Sequence, residues 1–205
     1  MDENKYVILL VHGIRTKDLN KSMGKIKSAL AKEGVDSIAV NYGWVLLPIT
    51  NKRAATATAK ALEPYAHVDK EVTVVGYSNG AWAAVQAAEM GSHIDNLILI
   101  SPALHVQHEF PRQIKKVVVY HSETDFAVVL GKYRRLISNI LPWRWKIFGG
   151  SSHGWGAMGK YGYTGNDPRV TNIDMGPEAS HFFNKHPHII SNIVEEILQI
   201  IGVKK

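Results

Sequence analysis

The stretch Val72-Thr73-Val74-Val75-Gly76-Tyr77-Ser78-Asn79-Gly80-Ala81-Trp82-Ala83-Ala84 constrains this chain more than any other. It opens as a short apolar, β-branched run of the kind that forms a fully buried strand. It passes without a loop into Ala83, Ala84, Gln86, Ala87 and Ala88, a segment of good helix formers. A strand that turns at once into a helix must bend sharply, and Gly76 and Gly80, lacking a Cβ, let the two backbones approach there. The bend forces Ser78, at the centre of G-x-S-x-G, into a strained backbone conformation and lifts its hydroxyl out of the packed layer. A helix beginning at Asn79 directs backbone N–H groups and its positive dipole end towards that hydroxyl.

The rest of the chain alternates strand-like and helix-like segments. Tyr6 to Val11 is an uninterrupted apolar run, typical of a central parallel strand covered on both faces. Ser37 to Tyr42, Ile94 to Ile100, Val117 to Tyr120 and Arg169 to Asp174 read as further strands. Leu19 to Lys32 places Leu19, Met23, Ile26, Ala29 and Leu30 at helical spacing, with Gly34 closing the helix. Arg53 to Tyr65, Phe126 to Leu141 and His188 to Ile201 are the other predicted helices. Gly43 to Thr50 is apolar but contains Pro48 and predicts a connection. Trp143 to Asp167 is rich in glycine and aromatics without periodicity and predicts a long, tightly turned loop. This alternation predicts an α/β fold of three layers, a mostly parallel central sheet with helices on both faces. With 205 residues, 45% hydrophobic and 20% charged, one domain spanning 1–205 is expected.

Composition excludes several chemistries. There is no cysteine, hence no disulfide, thiolate nucleophile or Cys-ligated zinc, which fits a reducing compartment. The run Tyr6 to Val11 is too short for a secretory signal or a membrane span, so a soluble, cytoplasmic protein is expected. The net charge of +6 comes from scattered basic residues and predicts solubility rather than nucleic-acid binding. His105-x-x-His108 and His186-x-His188 lack both an HExxH pattern and a convergent carboxylate set, so no metal site is expected. No G-x-x-x-x-G-K-[ST] phosphate loop occurs.

The strand, the G-x-S-x-G turn and the helix after it resemble the nucleophile elbow of the α/β-hydrolase superfamily, in particular its small serine esterase and lipase-like members. The resemblance implies the α/β-hydrolase fold, Ser78 as nucleophile, and an acid and then a histidine following it in chain order. Asp125 lies five residues beyond the strand Val117 to Tyr120, where the superfamily keeps its acid; Glu123 and Asp174 are rivals, and Asp125 also suits a helix N-cap. His181 lies between the last strand and the terminal helix, where the resemblance places the base; His153 in the glycine-rich loop is its rival, and His186 and His188 read as helix-start or surface residues. His12-Gly13-Ile14 is similar to the superfamily's HG element, which implies the backbone N–H groups of Ile14 and Asn79 as oxyanion donors, with His12 supporting the loop by hydrogen bonding.

Candidate substrate contacts are His12, Arg15, Trp44, Tyr77 and Trp155, with walls from Trp44 to Ile49 and from Ala103 to Arg112. Arg15 reads either as a surface cation or as a partner for an anionic substrate group. The resemblance implies hydrolysis of a carboxylic ester, or a lipid or thioester, of a small-molecule acyl substrate through an acyl-enzyme, with no cofactor. An acyltransferase using the same triad, with an alcohol in place of water, is one alternative. A non-catalytic binding or regulatory protein on the same fold is another, and the oligomeric state stays open.

Overall fold

A computed structural model describes residues 5–13, 21–43, 48–128 and 156–203, with the side chains of 48–51 excepted. Strands β1 (Tyr6–Val11), β2 (Ile38–Val40), β3 (Glu71–Tyr77), β4 (Asn96–Ile100), β5 (Lys116–His121) and β6 (Val170–Asp174) form one sheet in the order β2-β1-β3-β4-β5-β6. Every neighbouring pair is parallel. Apolar runs with no polar alternation need cover on both faces, and the helices supply it. Val7, Leu9, Val11, Val74, Leu97 and Val119 point to the face covered by α2 (Pro48–Leu62) and α3 (Asn79–Glu89). Ile8, Leu10, Val75, Ile98, Val118 and Tyr120 point to the opposite face, covered by α1 (Ser22–Lys32) and α5 (Pro187–Ile200). A short helix, α4 (Met158–Tyr161), precedes β6.

Several boundaries differ from those the sequence predicts, each for a local reason. Pro48 starts α2 instead of interrupting a connection, because the first helical position needs no backbone donor and suits the fixed φ of proline. The same helix stops at Leu62, and Glu63–Tyr65 tightens into a 3₁₀ turn containing Pro64, which has no N–H for the α ladder. The predicted strand Ser37 to Tyr42 is paired only over Ile38–Val40, at the sheet edge. Gly34 does close α1, with φ +75°. Leu19 and the greater part of the predicted helix Phe126 to Leu141 lie outside the described residues.

At the end of the sheet where the strands begin, Asp95 ties three of them together. Its backbone bonds Val72 and Lys115, and its carboxylate accepts from the Val72 N–H at 2.8 Å and from Lys115 Nζ at 2.8 Å, with His93 Nε2 at 3.1 Å. Burial on its own raises the carboxyl's pKa, but Lys115, the Val72 N–H and His93 outweigh it and leave the pKa lowered. A lowered folded-state pKa means stabilisation that is present above the ordinary carboxylate range and lost as pH falls through the lowered value. Asp95→Asn is therefore expected to cost about 1–2 kcal/mol at pH 7, with the gap to the unsubstituted protein closing in acid. Denaturant unfolding at both pH values measures this.

Candidate active site

The site lies at the opposite end of the sheet, where the strands finish, and it starts from the elbow between β3 and α3. Ser78 has φ 55° and ψ −118°, a conformation that a side-chain-bearing residue adopts only when its surroundings impose it. Those surroundings are visible. The Ser78 N–H bonds the Ile100 carbonyl, extending the β3–β4 pairing, while the Ser78 carbonyl accepts from Ala81 and Ala103. A Cβ at Gly76 would stand 2.6 Å from Ala81 Cα, and one at Gly80 would stand 2.2 Å from the Val11 carbonyl oxygen. The two glycines of G-x-S-x-G are thus the places where α3 lies against its own strand and against the end of β1. A Cβ at Gly13 would be 3.2 Å from Ser78 Cβ, so the His12-Gly13 turn after β1 abuts the serine directly.

Two further loops converge on this edge. Asp125 follows β5 and is fully buried, and His181 follows β6 with its side chain 14% exposed. His181 Nδ1 lies 3.0 Å from each carboxylate oxygen of Asp125. The carboxylate can only accept, so the proton resides on Nδ1 and Nε2 keeps its lone pair. Tyr77, next to Ser78, holds the histidine loop: its hydroxyl donates to the His181 carbonyl at 2.8 Å, and its ring lies 5.2 Å from the imidazole. Burial, with the Asp125 charge nearby, raises the Tyr77 pKa and keeps that hydroxyl protonated. Phe183, fully buried against Tyr77, anchors the chain beyond His181.

The acid and histidine loops are also sewn to each other. Ser122 Oγ donates to the Gly176 carbonyl and Thr124 Oγ1 to the Pro177 carbonyl, each at 2.9 Å. From the far side, α4 presses Gly159 against Asp125; a Cβ there would sit 3.0 Å from Oδ2. Sequence reasoning missed Ser122 and Thr124. Their signal was faint, two small hydroxyl residues spaced by one on the acid's own loop.

The structure thus brings Ser78, Gly13 and Asn79 together at the elbow, and joins Asp125 and His181 through Tyr77 to the same edge. Glu123 is exposed, and Asp174 is exposed with Oδ1 accepting from the Gly176 N–H, so neither takes the acid's place against His181. Asp125 Oδ1 also lies 3.5 Å from the Val128 N–H, the contact expected of a helix N-cap. Tyr77 is buried under the site rather than open to a cleft. His12 is buried, and its Nδ1 lies 2.8 Å from the Gly13 carbonyl, the loop-supporting contact expected of it. Ile14, Arg15, Trp44, His153 and Trp155 lie outside the described residues. Among the described residues no three His, Asp or Glu side chains gather as a metal site, and no helix is long and apolar enough to cross a membrane. His108 pairs with Glu89 at 3.4 Å, and His188 with Glu178 at 3.5 Å.

No protein-family model and no curated protein matches the sequence. Solved structures match the chain in fold. An α/β serine hydrolase without a lid from Xanthomonas campestris is 14% identical with a TM-score of 0.60, over 96% of this chain and 82% of that one. Est1E from Butyrivibrio proteoclasticus is 12% identical with a TM-score of 0.59, over 99% and 91%. The propionate-bound thermophilic esterase Est2 from Thermogutta terrifontis is 14% identical with a TM-score of 0.59, over 98% and 85%. Likeness at such identities is likeness of fold, and the chain has the α/β-hydrolase fold.

Proposed function

We propose that this chain is a serine hydrolase that cleaves carboxylic esters of small acyl substrates, folded as one domain over residues 1–205. The observation that carries the reading is the His181 imidazole, its Nδ1 held 3.0 Å from both oxygens of a fully buried Asp125, on a loop hung from the residue next to Ser78. A serine hydroxyl attacks an acyl carbon only when a base takes its proton. Here His181 Nε2 takes the proton as Ser78 Oγ bonds to the carbonyl carbon, and the backbone N–H groups of Ile14 and Asn79 receive the negative charge formed on the carbonyl oxygen. His181 then gives its proton to the leaving alkoxide, and the acyl group remains on Ser78. Water loses a proton to His181, attacks the acyl carbon, and releases the carboxylic acid as Ser78 Oγ recovers the proton.

The fold supports this reading because the structures it resembles include esterases, one of them holding a three-carbon acid. The test is turnover of a p-nitrophenyl ester panel that starts at short acyl chains, with product analysis in the presence of a competing alcohol. Free carboxylic acid as the product supports the hydrolase. A new ester as the main product identifies an acyltransferase, and a folded protein inactive on the whole panel favours a binding module.

A further inference from the structure

Tyr42 lies two residues beyond β2, at the edge of the sheet, and the sequence gives it no place in the site. Its ring nevertheless stacks on His12, with centroids 3.9 Å apart at 33°. Its hydroxyl bonds the carbonyl of His12 and, at 3.1 Å, that of Gly13. Burial raises the Tyr42 pKa and keeps that hydroxyl protonated, so that it donates. One phenol therefore bonds two successive carbonyls of the turn after β1, the turn that carries one half of the proposed oxyanion hole.

We propose that Tyr42 is a positioning residue that orients the oxyanion donor carried by the peptide between Gly13 and Ile14. This inference rests on the serine-hydrolase reading. A peptide unit is planar and trans, so its N–H points opposite its C=O. Fixing the Gly13 carbonyl thereby fixes the direction of the N–H on the same peptide bond. Tyr42 and His12 Nδ1 both bond that carbonyl, at 3.1 Å and 2.8 Å. Because the carbonyl only accepts, His12 carries its proton on Nδ1. Burial lowers the His12 pKa, which keeps the ring neutral beneath the tyrosine. Gly80 packs against the same turn from below, where an added Cβ would be 2.3 Å from the His12 carbonyl oxygen. The His12–Gly13 turn is therefore clamped between the elbow and a phenol, which holds the Gly13 carbonyl in place before substrate arrives, and a fixed dipole of this kind is what stabilisation of developing charge requires.

Tyr42→Phe keeps the ring and its stacking and removes only the hydroxyl. On a p-nitrophenyl ester, kcat is expected to fall about tenfold to a hundredfold with KM changed less than about twofold, the split expected when an interaction matters only in the transition state. Amide hydrogen exchange at residues 12–14 should quicken at the same time, a readout independent of turnover. An unchanged kcat with unchanged exchange overturns the proposal, as does a loss confined to KM. A folded, wild-type enzyme with no esterase activity instead overturns the hydrolase reading, and this proposal with it. If Tyr42→Phe fails to fold, a histidine pair decides. His12→Asn places an amide nitrogen where Nδ1 stood, whereas His12→Gln places it at the Nε2 position. A higher kcat for Asn than for Gln supports the clamp, and equal values refute it.

Discussion

Ser78→Ala is expected to lower kcat for ester hydrolysis by about 10⁵- to 10⁶-fold, to the level that binding and oxyanion stabilisation alone support. The size follows from the arrangement of parts. Without Oγ there is nothing to form the acyl-enzyme, and the aligned imidazole can only act weakly on water. The fold should be indifferent to the change. Alanine keeps the Cβ beside Gly13, and the bonds from Ser78 to Ile100, Ala81 and Ala103 are all made by its backbone. Circular dichroism and the thermal midpoint therefore serve as controls. A variant that loses activity together with its folded signal would say nothing about nucleophilicity, while one that stays folded and keeps more than about a hundredth of wild-type kcat would remove Ser78 from the mechanism.

Asp125→Asn is expected to be the second largest effect, roughly a 10⁴-fold loss in kcat with little change in KM. The substitution is nearly isosteric, so packing around a fully buried position is preserved. What changes is the partner of His181 Nδ1, which now lies 3.0 Å from two acceptor oxygens. With an amide there, the NH₂ can face the ring, and the imidazole then carries its proton on Nε2, where it cannot accept one from Ser78. The imidazolium formed during attack also loses its counter-charge. Glu123→Gln and Asp174→Asn should leave kcat within about twofold, since both carboxylates are exposed and lie outside this contact. Parallel kinetics on the three variants identify the acid.

The strands were legible in the sequence because parallel strands covered on both faces are nearly pure apolar runs, and Tyr6–Val11 and Val117 to Tyr120 at the centre of β5 are just that. The elbow was legible for a different reason: only glycine fits where backbone meets backbone at 76 and 80, so the chemistry of the turn is written into residue type. Helix α4 escaped because four residues, Met158–Tyr161, are too few to show a period inside a glycine-rich stretch. Pro48 misled because the same ring that breaks a helix interior is favoured at its first turn. The order of Ser78, Asp125 and His181 pointed to loops that the structure brings to one edge of the sheet, with Asp125 and His181 in contact, but not to what steadies them. Ser122 and Thr124 reach carbonyls 54 and 53 residues away, and Tyr42 reaches back 30 residues to His12. Bonds of that kind depend on which loops the sheet order makes neighbours, and no local pattern carries them.

The most direct measurement of whether Ser78 is an activated nucleophile is covalent labelling with a fluorophosphonate, followed by mass mapping of the adduct. A probe of this class phosphonylates a serine only when a base withdraws its proton and an oxyanion site accepts the developing charge. One adduct per chain, located on Ser78 and absent from Ser78→Ala, is the expected result. A folded protein that stays unmodified, or is modified at another residue while Ser78 remains free, contradicts it.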